Sequence, residues 1–179
     1  MSLHILHDQR AVDIRPIQRD DGARLQAYHL GLSDESRYRR FLGAKPRLSD
    51  ADARYLVDVD GSDHFALVAT CPPAPGGSGQ IVAVARFVRL LEAPDAAEFA
   101  IVVGDDFQRQ GLGDELMKRL AAAARDRGIR RFRASMLAEN VAIRRVMTHL
   151  AAGPVQVLER GPVIELEIEL AGERHAAAA

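Results

Sequence analysis

Short apolar runs bounded by turn residues dominate the middle of the chain. His64 to Thr70 (HFALVAT), Gln80 to Leu90 (QIVAVARFVRL) and Ala97 to Val103 (AEFAIVV) are rich in aliphatic and β-branched residues and predict buried strands. Between the first two lies Cys71 to Gly79 (CPPAPGGSG), whose prolines and glycines predict a loop. Val12 to Ile17 (VDIRPI) predicts a short strand, with Pro16 suited to its end or to a sheet edge. Asp20 or Asp21 can cap a helix through Leu30, stopped by Gly31. A second helix follows Ser33, with Asp34 and Glu35 in its first turn, and ends at Gly43; Ser49, Asp50 and Asp52 open a third, carrying Tyr55, Leu56 and Val59 on one side.

The second half reads as a helix from Gly113 to Arg127, a strand from Arg131 to Leu137 and a helix from Asn140 to Leu150, then strands at Val155 to Leu158 and Val163 to Leu170. In the last of these Ile164, Leu166, Ile168 and Leu170 alternate with Glu165, Glu167 and Glu169, which predicts apolar positions inward and a solvated glutamate face. Strands and helices do not alternate one for one, so a doubly wound sheet is disfavoured. The expectation is a mixed α/β sheet of about seven strands with helices on both faces.

Composition narrows the function. With 179 residues, one domain spanning 1–179 is expected, 1–11 being an N-terminal extension and 171–179 a frayed tail. The 24 basic and 25 acidic side chains nearly cancel, which removes the usual electrostatic case for binding nucleic acid. No apolar run reaches the ~20 residues a membrane span needs, and the first residues lack a signal-peptide core. One cysteine, Cys71, permits no intrachain disulfide and suits a cytoplasmic, reducing compartment. His29, His64 and His149 are scattered without ligand spacing, so no metal site is expected.

The chemistry concentrates between Ala97 and Leu116. An apolar strand runs into Gln108-Arg109-Gln110-Gly111-Leu112-Gly113, and a helix begins there. Unpaired amides at the positive end of a helix suit a phosphate or pyrophosphate, and glycine lets the backbone approach it; the same glycines equally suit a tight strand-to-helix turn. Asp114 after Gly113 excludes a Walker loop, and Leu116 breaks the G-x-G-x-x-G dinucleotide fingerprint. Glu98 lies inside an apolar strand, where a carboxylate is costly unless it has a partner or a task. Burial would raise its pKa toward the range of a general base; the alternative is an ion pair with an arginine such as Arg86.

Gln108-x-x-Gly111-x-Gly113 after Ala-Ile-Val-Val, with an amphipathic helix, a strand and Asn140 following, resembles the acetyl-CoA motif of the GCN5-related N-acetyltransferases. Leu32 to Gly43 (LSDESRYRRFLG), the Ser49-Asp50 helix start, HFALVA and AEFAIVV together resemble the bacterial Pat-type protein lysine acetyltransferases. The resemblance spans about Val12 to Leu170. It implies that the pantetheine arm pairs with the backbone of Ile101, Val102 and Val103, and that amides from Gln108 to Asp114, centred on Gln110, Gly111, Leu112 and Gly113, hold the pyrophosphate. Arg109 would add charge near a phosphate or remain solvated, and Asn140 would contact the coenzyme arm while capping its helix.

The same resemblance implies Glu98 as general base for direct attack of an amine, with a backbone N–H near Val102 stabilising the oxyanion. Many relatives have a tyrosine general acid where Met147 stands here, so the proton donor to the thiolate is left open. Cys71 is not expected to act as a nucleophile. Arg37, Tyr38, Arg39 and Arg40 border the acceptor groove, either for recognition or as a solvated basic face. The expected acceptor is a protein lysine, with a small amine, amino acid or antibiotic as alternative, and a non-catalytic acyl-CoA sensor as a third reading. Regulatory domains fused to some relatives would have to come from a partner, and the family implies a monomer or homodimer.

Overall fold

The structure, a computed structural model, describes residues 2–72 and 79–172. Most of the Pro- and Gly-rich loop and the expected tail from 173 onward lie outside the described residues. The strands are β1 (Ser2–Ile5), β2 (Ala11–Pro16), β3 (His64–Thr70), β4 (Ile81–Leu90), β5 (Ala93–Val103), β6 (Arg131–Leu137), β7 (Gln156–Glu159) and β8 (Val163–Glu169). The helices are α1 (Gly22–Gly31), α2 (Asp34–Phe41), α3 (Asp50–Val57), α4 (Leu112–Arg125) and α5 (Val141–Leu150).

The strands form one mixed sheet in the order β1-β2-β3-β4-β5-β6-β8-β7. Every neighbouring pair is antiparallel except β5 and β6, which run parallel. The eighth strand, beyond the expected count, is β1: Ser2–Ile5, within the expected N-terminal extension, pairs with β2 in register. Its two exposed apolar residues, Leu3 and Ile5, lack the continuous run by which the other strands announce themselves.

Helices α4 and α5 cover one face of the sheet. There Leu112, Leu116, Met117 and Leu120 pack onto Phe87, Phe99, Phe132 and Met136, with ring centroids 5.3 Å apart for Phe99 and Phe132. Helices α1 and α3 cover the other face, where Leu25 and Val57 meet Ala66, Val68, Ile81 and Val84. Strand β4 is buried on both faces, which explains why its apolar run does not alternate. α3 begins where the sequence places it, because Ser49 Oγ accepts from Asp52 N (3.1 Å) while Asp52 Oδ2 accepts from Ser49 N (2.8 Å).

The glutamate face of β8 departs from expectation. Glu169 is exposed, but Glu167 is buried, accepting from Arg133 Nε (2.6 Å) and Arg131 Nη1 (3.0 Å) on the adjacent strand. Cross-strand pairing puts Arg133 directly opposite Glu167, so two arginines replace the water that the sequence pattern alone implies. Together they hold the Glu167 carboxyl below its usual range against the opposing effect of burial.

Candidate active site

The parallel pair is short. β5 and β6 are in register only over Ala96–Arg131, Ala97–Phe132 and Glu98–Arg133, and beyond that point the strands diverge. β6 continues against β8 through Leu137, and β5 continues against β4 through Val103. The fork leaves a cavity of about 430 Å³, lined by Phe99–Val103 of β5, Ala134–Met136 of β6, Ile143 and Val146 of α5, and Arg39 and Arg40 of α2.

Ladder geometry decides which backbone groups face this gap. Antiparallel pairing of β4 with β5 is regular from Val103–Ala83 to Ala97–Arg89, and Gly104 N donates to Val82 O (2.8 Å). Bonded positions alternate along such a ladder. Residues 98, 100, 102 and 104 therefore turn their amides to β4, and Phe99, Ile101 and Val103 turn theirs to the gap. Val102 is one of the positions that face β4. Its backbone belongs to the ladder, its carbonyl also accepts from the Tyr28 hydroxyl (3.1 Å), and its side chain packs toward α1 and α3.

At the open end of the fork the chain turns through Asp105–Phe107 into α4. Arg109 (φ 60) and Gly111 (φ 83) occupy the left-handed region, and Gly111 is the N-cap of α4. The first return bond of the helix is Glu115 N to Gly111 O (3.1 Å), so Leu112, Gly113 and Asp114 present their amides outward at its positive end. Gln108 does not point its side chain into the cavity as a free group. Its Nε2 donates to Val103 O (3.1 Å) and to Ser36 Oγ (3.2 Å). Asp105, which the sequence pattern did not single out, accepts from Ser33 N (2.9 Å), Ser33 Oγ (2.8 Å) and Ser36 Oγ (2.7 Å). One carboxylate thus ties α2 to the glycine turn.

The two glycines differ in what they require. A Cβ on Gly111 would meet His7 Nε2 at 2.9 Å in a left-handed backbone, whereas one on Gly113 would find only Val103 Cγ2 (3.8 Å) and Ile101 Cδ1 (3.9 Å). Gly111→Ala should therefore lower unfolding stability by about 1–2 kcal/mol. Gly113→Ala should cost clearly less. Thermal denaturation checks both, and equal losses would show that neither the φ nor the His7 contact matters.

Glu98 sits at the last paired step of the fork and opens on the cavity, exposed. The burial expected from its apolar neighbours does not occur, because alternation sends Ala97 and Phe99 to the core and Glu98 to the opposite face. Nor does it pair with Arg86, which instead donates to His64 Nε2 (3.1 Å) and Leu56 O (3.1 Å). Ser135, a hydroxyl missed in reading the sequence, lines the opposite wall two residues beyond the register partner of Glu98; being the one hydroxyl in RFRASML was its only signal.

Asn140 is buried, lines the cavity and accepts from Ile143 N (3.3 Å) as the cap of α5. Met147 is fully buried in the core and offers no proton. The histidines have local partners: His29 Nε2 bonds with Lys45 O (2.7 Å), and His149 Nδ1 lies 3.7 Å from Asp114 Oδ1.

The mixed sheet thus forks between its two parallel strands, and the outward amides at the positive end of α4 stand at the fork's mouth. The chain belongs to the acetyltransferase (GNAT) domain family, whose model matches residues 12–152. It is 37% identical over 157 residues to the acetyltransferase Pat of Mycolicibacterium smegmatis, covering 88% of this chain and 45% of that protein. The chain thus spans about half the length of that relative. It is 33% identical to acetyltransferase PA5475 of Pseudomonas aeruginosa, over 78% of this chain and 73% of the relative.

Among solved structures, the GNAT domain of S. lividans PAT superposes with a TM-score of 0.83 at 34% identity, covering 94% of this chain and 96% of that one. The cAMP-binding acyltransferase from Mycobacterium smegmatis superposes at 0.65 with 30% identity, over 99% of this chain and 49% of that one. A putative acetyltransferase from Salmonella typhimurium, solved with acetyl-CoA, shares the fold at a TM-score of 0.64, 18% identity and coverage of 93% and 96%.

Proposed function

We propose that this chain transfers an acetyl group from acetyl-CoA to the side-chain amine of a protein lysine, with Glu98 as general base. The observation that carries this reading is the position of Glu98: an exposed carboxylate on the cavity wall at the apex of the fork, without an ion-pair partner among the described residues. The coenzyme fits what the fork leaves unpaired. Its pantetheine amides would pair with the gap-facing backbone of Phe99 and Ile101 and with the amide of Val103, whose carbonyl Gln108 already holds. Its pyrophosphate would meet the amides from Arg109 to Asp114, with Gln110, Gly111, Leu112 and Gly113 central and Arg109 on the cavity wall. Asn140 would flank the arm from α5.

A lysine amine is protonated at neutral pH, its pKa lying near ~10.4, so a base must remove a proton before attack on the thioester. Glu98 takes that proton, directly or through water. A gap-facing amide of Phe99 or Ile101 then donates a hydrogen bond to the carbonyl oxygen, which gains negative charge as the new C–N bond forms. The thiolate is a stable enough leaving group to depart without a dedicated acid.

Cys71 stands outside this scheme. It does not line the cavity, it packs against the core of the α4 face, and burial pushes its thiol above the ordinary range. Cys71→Ala should leave turnover within about twofold, and intact-mass spectrometry during turnover should find no acetylated protein. A persistent acetyl adduct on Cys71 would replace direct attack with a two-step transfer.

The reading is tested by coenzyme-A release with acetyl-CoA over a panel of protein, peptide and small-amine acceptors. Release with lysine-containing proteins supports it. Release with small amines alone moves the acceptor to that class, and tight coenzyme binding without transfer leaves an acyl-CoA sensor.

A further inference from the structure

The acceptor side of the cleft carries more positive charge than its carboxylates neutralise. Arg37 pairs with Asp34 (2.5 Å), Arg39 with Glu35 (2.5 Å) and Arg133 with Glu167 (2.6 Å). Arg40 and Arg86 differ: among the described residues neither has a carboxylate within ion-pair distance. Arg40 lines the cavity beside Glu98, partly buried, with its guanidinium 4.9 Å from the centre of the Phe41 ring. Arg86 is buried on β4 directly across from Ala100, one of the cavity-wall residues of β5. Its two hydrogen bonds go to the neutral acceptors His64 Nε2 and Leu56 O, which satisfy its donors without cancelling its charge.

Glu98 is the carboxylate near the Arg40 guanidinium, and Arg86 adds a second positive charge close to Arg40. Burial draws Arg40 below its ordinary value, an effect that the Glu98 charge offsets in part. Burial and the Arg40 charge together draw Arg86 down to about 9, so it is still protonated at neutral pH. An uncompensated charge beside an open cleft lowers its free energy by taking an anion from the ligand. A lysine ammonium arriving there alone would meet net repulsion.

We propose that Arg40, backed by the buried Arg86, forms a subsite for a carboxylate carried next to the acceptor amine. This deepens the acyl-transfer reading and rests on it. The carboxylate comes either from an acidic side chain beside a peptide lysine or from the α-carboxylate of a free amino acid. Arg40 presents the planar fork that matches a carboxylate, while Arg86 supplies charge from behind the strand.

The test compares kcat/KM for matched acceptors. One pair is a lysine peptide flanked by Glu against the same peptide flanked by Gln; the other is free lysine against 1,5-diaminopentane. Wild-type protein should favour the carboxylate-bearing member of at least one pair by about tenfold, the worth of one charge-assisted hydrogen bond. A preference confined to the peptides assigns the carboxylate to a side chain, and one confined to the free amino acid assigns it to the α-carboxylate. Arg40→Gln should bring that ratio near one, with Arg40→Lys in between. Transfer without preference in wild type overturns the subsite and leaves the acyl-transfer reading standing. A ratio unchanged in Arg40→Gln, or an equal loss for both members of a pair, overturns it as well. No transfer to any acceptor, with acetyl-CoA bound, overturns both.

Discussion

Glu98→Gln is expected to lower kcat by about 10²- to 10⁴-fold while the KM for acetyl-CoA stays within about twofold, the range a positioned general base supplies. The substitution is isosteric, and the side chain is exposed on the cavity wall with no ion pair to lose, so the fold should not change. The groups proposed to face the coenzyme are the backbone of β5 and the amides at the start of α4, none of which the substitution touches. The loss should therefore fall on turnover. It should also shrink at alkaline pH, because an amine whose pKa is near ~10.4 increasingly deprotonates itself there. Steady-state kinetics from neutral to alkaline pH test both points. Equal turnover in wild type and variant would remove Glu98 from the reaction. A large rise in the KM for acetyl-CoA would make it a binding residue instead.

The sequence made the strands of the sheet interior legible because burial on both faces leaves an uninterrupted apolar run, as in β4. β1 stayed hidden because an edge strand needs no such run. The turn at Gln108–Gly113 was legible as the glycine-rich start of a helix, yet the reason for Gly111 was not: its φ of 83 goes with the approach of His7, from a hairpin about a hundred residues earlier in the chain. Glu98 stood out as a polar residue in an apolar strand, and the structure keeps its location while reversing its environment. Period-two alternation alone would have placed it on the face opposite Phe99, but only the point where β5 and β6 part shows that it opens on a cavity. Glu167 erred in the other direction. Strand alternation gives the face of a side chain, not whether arginines on a neighbouring strand wait there, since that register depends on how β6 and β8 align. The fork itself had no local signature, because it is set by where β5 and β6 stop pairing.

The largest stability effect is expected at Asp21, far from the chemistry but beneath the helix that carries Tyr28. Asp21 is fully buried between β2 and α1. Its Oδ2 accepts from Arg15 Nη1 (2.7 Å) and Gln18 N (2.8 Å), its Oδ1 accepts from Arg15 Nη2 (2.8 Å), and Arg24 approaches to 2.7 Å. Burial alone would raise this carboxyl's pKa; the hydrogen bonds from Arg15 and Gln18 and the charge of Arg24 outweigh it and hold the carboxyl below its usual range. Removing one partner of such a buried pair costs about 3–5 kcal/mol, since the remaining charges are left without a counter-ion. Asp21→Ala should sit near the lower end of that range, because Arg15 and Arg24 retain some access to water. The sign with pH follows from the depressed value. A carboxyl held below its unfolded pKa of ~3.9 contributes stability that is present above that pH and is lost as pH falls through the folded value. The gap between wild type and Asp21→Ala in denaturant unfolding should thus be widest near neutrality and narrow below about pH 4. A gap that does not narrow in acid would mean that Asp21 acts through packing rather than charge. If it does narrow, this carboxylate is the clamp holding α1 to the sheet. Tyr28, and through it the carbonyl of Val102, then owes its position to an ion pair on the opposite side of the helix's origin.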